Sequence, residues 1–394
     1  MKTYTEKLDT SALKKIVVDD MFLTKNLPTT AGSKMLDGYK SLFDAEVITR
    51  LEKDGFTISG KADVGEFAFD VIGETSYNGF KTVNACAEIL NGEDVFATLN
   101  LDVNGYPRRV ASQNGLISIK PTYGTVSRFG TVPVACSGET VSAISKTISN
   151  LKEVLSSIVG HDDKDGTSHS ESVCKSVISN SCELTFKKVA LLKSMLSVDD
   201  DVKGKLNGVL DCLKANGVEV VEIDDTVIKT AKSAWNILMS SELTNNVSRY
   251  DGVKYGYRAN YFTNIDELYT NSRSEAFGEL LKFAILYGSD NLSTENYFKL
   301  YDKALRVRRV ILEKFNELFN SYDAVIIPAC STLNYTEEML KDTGFAYTEN
   351  FFTAPASITG LPCVALEGVQ FIGKAFSENV LLNLASIVEK GGKK

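Results

Sequence analysis

Short apolar runs alternate along the chain with longer stretches of amphipathic spacing, the pattern of an α/β protein. "KIVV" at 15–18 is apolar and β-branched and predicts a strand. Val47, Ile48 and Leu51 share a face of "SKMLDGYKSLFDAEVITRLEKDG", which predicts a helix stopped by Gly55. "FTISGK" follows as a strand ending at Gly60-Lys61, and "GLISIKP" and "VPVACS" predict further buried strands. Val141, Ile144, Ile148, Leu151, Leu155 and Ile158 recur at helical spacing and predict one amphipathic helix over 140–159. The polar stretch 160–172 reads as an exposed loop.

A βαβ unit comes next: the strand "KKVALLKS", the helix "DDDVKGKLNGVLDCLKANG" with its acidic first turn and closing Gly217, and the strand "VEVVEID". Helices are predicted within 233–250, 272–288 and 296–322. "DAVIIPA" is an unbroken apolar run, as in a strand covered on both faces. "LPCVALEGVQFIG" predicts a hairpin, and "SENVLLNLASIVEK" a final helix. The expectation is a single domain over 1–394, with 170–290 as a candidate minor lobe.

With 394 residues and 43% hydrophobic content the chain can bury a large core. The net charge of −8 gives no bulk attraction for nucleic acid, so no direct nucleic-acid binding is expected. Arg306, Arg308 and Arg309 are the densest basic cluster and read as a solvated helix face. No apolar targeting segment follows Met1 and no apolar run is long enough for a membrane span, so no membrane association is expected. Seven scattered cysteines without a CxxC, and only two histidines, argue against a zinc site and for reduced thiols in the cytoplasm. No metal and no cofactor is expected.

The chemistry gathers around "DVNGYPRR" at 102–109, directly ahead of "NGLISIKPTYGTVSRFG". The latter segment resembles the signature of the amidase signature family. "ISGKADVGEFAF" is similar to that family's Gly-Lys-x-x-x-x-Glu-Phe motif. "GHDDKD", "SRYDGVKYGYR", "SRSEAFG", "TAPASITGLPCVAL" and "GVQFIGKAFSE" follow in the family's order. Within the family the chain resembles the A subunits of glutamyl-tRNA(Gln) and aspartyl-tRNA(Asn) amidotransferases, in a shortened and degenerate form. The resemblance runs from about residue 15 to the C-terminus, without the additional N-terminal helical segment of those proteins. It implies an amidase-type mixed β-sheet core covered by helices on both faces. It also implies glutamine hydrolysis, with ammonia handed to a B-like or C-like protein partner.

That chemistry uses a serine nucleophile, a second serine in a cis peptide as proton relay, a lysine as ultimate base and a Gly-rich turn for the oxyanion. The resemblance places Lys61 at the base, since burial lowers a lysine's pKa; the competing reading is a packed or ion-paired lysine. The family's turn, Asp-Thr-Gly-Gly-Ser-Ile-Arg, corresponds to Asp102 to Arg108. Tyr106 stands at the nucleophile, with Val103, Asn104 and Gly105 as the remnant of the oxyanion turn. A phenol with an ordinary pKa near 10 attacks only under strong activation, and its bulk suits a plug. The relay serine's Gly/Ser loop has no counterpart between Lys61 and Tyr106. Ser76 in the replacement segment reads as a loop serine, Cys86 as a candidate substitute thiol, and Ser112 as another candidate partner for Lys61. An arginine and an aspartate that clasp the amino-acid head group in the family correspond to Ala284 and Asn350.

The packing segments persist while the reactive positions differ. The reading is therefore a catalytically inactive relative with a scaffold or regulatory role. The alternatives are an amide hydrolase rewired around Lys61, and a protein that binds a small molecule in the remodelled cleft.

Overall fold

The computed structural model describes residues 2–72, 75–79, 83–179, 184–185 and 187–391. Its strands, in chain order, are β1 (Tyr4–Lys7), β2 (Lys15–Asp19), β3 (Thr57–Ala62), β4 (Ala97–Asp102), β5 (Ile117–Lys120), β6 (Thr140–Ser145), β7 (Lys188–Leu192), β8 (Glu219–Ile223), β9 (Ala324–Pro328), β10 (Cys363–Leu366) and β11 (Val369–Gly373). All join one mixed sheet in the order β1-β3-β2-β4-β6-β5-β10-β11-β9-β7-β8. β2 runs parallel to β3 and β4, and β7 parallel to β8 and β9. The strands between these two parallel sets pair antiparallel. Every residue of β4, β6, β9, β10 and β11 is buried, because helices cover both faces of the sheet.

Four sequence expectations are corrected. Residues 140–159 are not one helix: Thr140–Ser145 is the central strand β6, and the helix spans Ile148–Ile158. Val141 and Ile144 fit a helical stripe, but β6 is buried on both faces, so periodicity carries no signal there. Thr147 marks the true start, its hydroxyl accepting from the Asn150 N–H at 3.2 Å. "VPVACS" is not a strand, because the N–H groups of Val134 and Ala135 go to the Glu139 carboxylate instead of a neighbouring strand. Residues 33–55 hold only a 3₁₀ turn, Lys34–Leu36, and a helix, Glu46–Lys53, with Gly38 at φ 78° between them. Residues 272–288 contain a break: the helix Ile265–Ala276 stops, and the helix Glu279–Asn291 starts after Gly278.

The sheet places the site. β2, β3 and β4 are parallel, so their carboxyl ends share one edge, where α/β sheets present ligand-facing loops. That edge carries Asp19 at the end of β2 and Asp20 just after it, Lys61 near the end of β3, and Asp102 at the end of β4 with the turn 103–105 after it. Gly105 closes the turn at φ 95°, and a Cβ there would lie 2.3 Å from Cβ of Thr353. Gly105→Ala is therefore expected to destabilise the chain by about 2–4 kcal/mol, read as a lowered midpoint in urea unfolding.

Candidate functional site

Tyr106 opens the helix Tyr106–Gln113, with Pro107 in a first turn whose N–H groups need no helical partner. This helix, the helix Ala85–Gly92 and β4 all lie in the stretch that strand and helix spacing left unassigned. The Tyr106 ring turns back under the sheet edge and is fully buried. Its hydroxyl donates to Asp19 Oδ2 at 2.5 Å and accepts from Asn100 Nδ2 at 3.1 Å. Burial and the Asp19 carboxylate push the phenol well above its ordinary pKa. Asp19 also accepts the N–H groups of Leu101 and Met21 at 2.8 and 3.1 Å, and burial pushes its carboxyl up to about 6.

Lys61 is equally buried and faces three acceptors. Its Nζ lies 2.8 Å from Asp20 Oδ1, 2.6 Å from Thr29 Oγ1 and 2.7 Å from the Pro28 carbonyl. The Thr29 hydroxyl donates to the Phe22 carbonyl at 3.4 Å, so its oxygen is left to accept from the amine. Burial lowers the Lys61 pKa, and Asp20 opposes that shift. The amine thus makes two hydrogen bonds, to Thr29 and Pro28, and one close ion pair, with Asp20. The adjacent residues Asp19 and Asp20 thus hold Tyr106 and Lys61 at one edge, each through its own carboxylate.

Val103 and Asn104 are buried, and Asn104 is bonded to the opposite loop. The Thr353 hydroxyl donates to the Asn104 carbonyl at 2.7 Å, and Asn350 Nδ2 donates to Asn104 Oδ1 at 3.0 Å. Asn350 Nδ2 also reaches Asn236 Oδ1 at 2.6 Å. Asn350 therefore sits against the turn. Ala284 lies elsewhere, buried in the helix Glu279–Asn291, with the Thr244 hydroxyl 3.5 Å from its carbonyl. Beside the turn a crevice lined by Phe69, Asp70, Asn104, Met239, Leu280 and Tyr347 has no space for a water molecule.

The other candidate nucleophiles are packed groups. Cys86 is buried 3.1 Å from Asn100 Nδ2, and burial pushes its thiol up to about 12. The Ser76 hydroxyl donates to Asp63 at 2.8 Å, and that of Ser112 to the Val369 carbonyl at 3.4 Å. Cys174, Cys330 and Cys363 are buried and free, Cys136 and Cys212 are half-buried, and Cys182 lies outside the described residues. Among the described residues no cluster is arranged to hold a metal, and no helix is long and apolar enough to cross a membrane. Sequence reasoning missed Asp19, Asp20, Thr29, Asn100 and Asn236. The one available signal was "VVDD", two carboxylates directly after an apolar strand.

The fold places the chain among amidase-type α/β proteins. It belongs to the Amidase family, whose model matches residues 15–89 and 102–382. It is similar to the A subunit of glutamyl-tRNA(Gln) amidotransferase from Streptococcus mutans, 32% identical over 95% of this chain and 82% of that one. The corresponding protein of Streptococcus pneumoniae matches at the same identity and coverage. The crystal structure of its Thermotoga maritima counterpart superposes with a TM-score of 0.79 at 25% identity, covering 98% of this chain and 87% of that one. A 6-aminohexanoate cyclic dimer hydrolase shares the fold, with a TM-score of 0.80 at 16% identity over 98% and 89% of the two chains.

The Asp19 carboxyl titrates higher in the folded chain than in an unfolded one, so it favours folding most below about pH 4. That contribution fades as pH rises through about 6. The stability of the wild type relative to Asp19→Asn is expected to fall by about 2–3 kcal/mol between pH 4 and pH 7, measured by urea unfolding across that range.

Proposed function

We propose that this chain is a family member that no longer hydrolyses amides, and that it serves as a scaffold or regulatory partner docked on a B-like or C-like amidotransferase subunit. The observation that carries the reading is the surroundings of Lys61. A general base needs a free lone pair, whereas Lys61 faces Asp20, Thr29 and the Pro28 carbonyl. Tyr106 supports it, as a buried phenol donating its proton to a carboxylate and bearing a raised pKa. Cys86 offers no replacement thiolate, because burial keeps its sulfur protonated. The partner class follows from the similarity to subunits of amidotransferases, whose name implies companions.

The direct test is ammonia release from glutamine, asparagine and simple amides by the purified chain and by Lys61→Ala. The expected outcome is no release above that of the variant. Turnover lost in Lys61→Ala would mean a site rebuilt around this lysine. If Lys61 is a structural ion, Lys61→Ala costs about 3–5 kcal/mol of stability by stranding Asp20, and adding Asp20→Asn recovers part of it.

A further inference from the structure

Residues 65–72 cross the edge beside the turn and are held at both ends by side-chain hydrogen bonds. At the near end the Glu66 carboxylate accepts from the Ser33 hydroxyl at 2.6 Å and from the Gly278 N–H at 2.9 Å. The Phe67 ring anchors this end further, packing on Tyr250 and Phe277 with centroids 5.5 and 6.4 Å away. At the far end the Arg109 guanidinium donates to the carbonyls of Val71, at 2.9 Å, and Ile72. Arg109 is itself positioned by Gln113 Oε1 at 2.6 Å and by the Tyr335 ring 5.1 Å below it. Between the two clamps Phe67 and Ala68 both adopt positive φ, 53° and 50°. Two consecutive non-glycine residues there are strained, and such strain persists only where the surroundings impose it.

The arm beyond the strained pair covers the crevice: Phe69 and Asp70 form its wall, facing Met239 and Tyr347. Val71 and Ile72 do not join the main core. They pack in a small satellite cluster with Leu340 and Ala346. The arm is therefore anchored by the Phe69 ring in the main core, while its outer half, Val71 and Ile72, rests on that small cluster and on Arg109, which holds both carbonyls.

We propose that residues 69–72 are a latched strap, hinged at Phe67-Ala68 and held shut by Arg109, which closes the crevice beside Asn104. The idea rests on the reading of this edge as closed to substrate. Breaking the latch leaves two buried carbonyls without their donor and lets the strained pair relax, so the arm lifts while Glu66 and Phe67 stay anchored.

The test uses the full chain carrying Met239→Cys, with and without Arg109→Ala. Labelling at position 239 by methyl methanethiosulfonate is followed by peptide mass spectrometry, alongside hydrogen exchange. Arg109→Ala is expected to speed labelling at 239 and amide exchange in 69–72 at least roughly tenfold, with β6 amides unchanged. Adding Ala68→Gly, which relieves the strain at that residue, is expected to slow the arm's exchange again. Equal labelling with and without Arg109 overturns the latch, and so does an acceleration shared equally by β6, which is general loosening. If Arg109→Ala does not fold, Arg109→Lys keeps the charge but loses the two-carbonyl fork, and no acceleration there overturns the idea equally. Amide turnover in the ammonia assay would sink the non-catalytic reading and leave the labelling result standing; equal labelling would do the reverse.

Discussion

The edge at the carboxyl ends of β2, β3 and β4 is organised by one guanidinium. Arg108 is fully buried and has five N–H bonds, and the structure supplies five acceptors. Two are the oxygens of Asp102, at 2.8 and 3.0 Å. The others are the Thr353 carbonyl at 2.8 Å, Gln370 Oε1 at 3.1 Å and the Ser357 hydroxyl at 2.7 Å. Those partners come from the end of β4, the loop and helix at 353–357, and β11. A buried ion pair is worth keeping only when its remaining donors are satisfied, and here they are. The turn 103–105 is suspended between the two ends of this clamp.

Around that clamp the edge divides its polar groups into separate pairs. Asp19 serves Tyr106 and two backbone N–H groups, while Asp20 serves Lys61 and the Thr30 N–H. Successive residues at the end of a strand point to opposite sides, so one dipeptide can hold two different donors. The apolar sheet behind them excludes water, which strengthens each pair and makes any unpaired member costly.

The fold was legible wherever burial was one-sided or a run was long. β9, with its unbroken apolar sequence, and the helix Asp200–Ala215, with its acidic first turn and closing glycine, stand where spacing put them. β6 escapes spacing because a strand buried on both faces lacks the alternation that distinguishes it from a helix. Gly278 broke a predicted helix for a reason no local pattern carries: its N–H is claimed by Glu66, 212 residues away in sequence. Lys61, Tyr106 and the turn residues could be named because they lie in contiguous motifs. Asp19, Asn100 and Asn236 could not, because their partners are set by sheet pairing and helix packing. The Asn350–Asn236 contact, for example, joins residues 114 positions apart.

The Tyr106–Asp19 bond also bears on how this sequence can change. A chain that exchanged the phenol for a serine would remove one donor from a carboxylate that is already desolvated, and would open a ring-sized void under the sheet. The lysine would still be engaged by Asp20. Each such exchange lowers stability at the buried pair that it breaks. The buried pairs thus tie Asp19, Asp20, Lys61 and Tyr106 together, so that a change at one is felt at its partner.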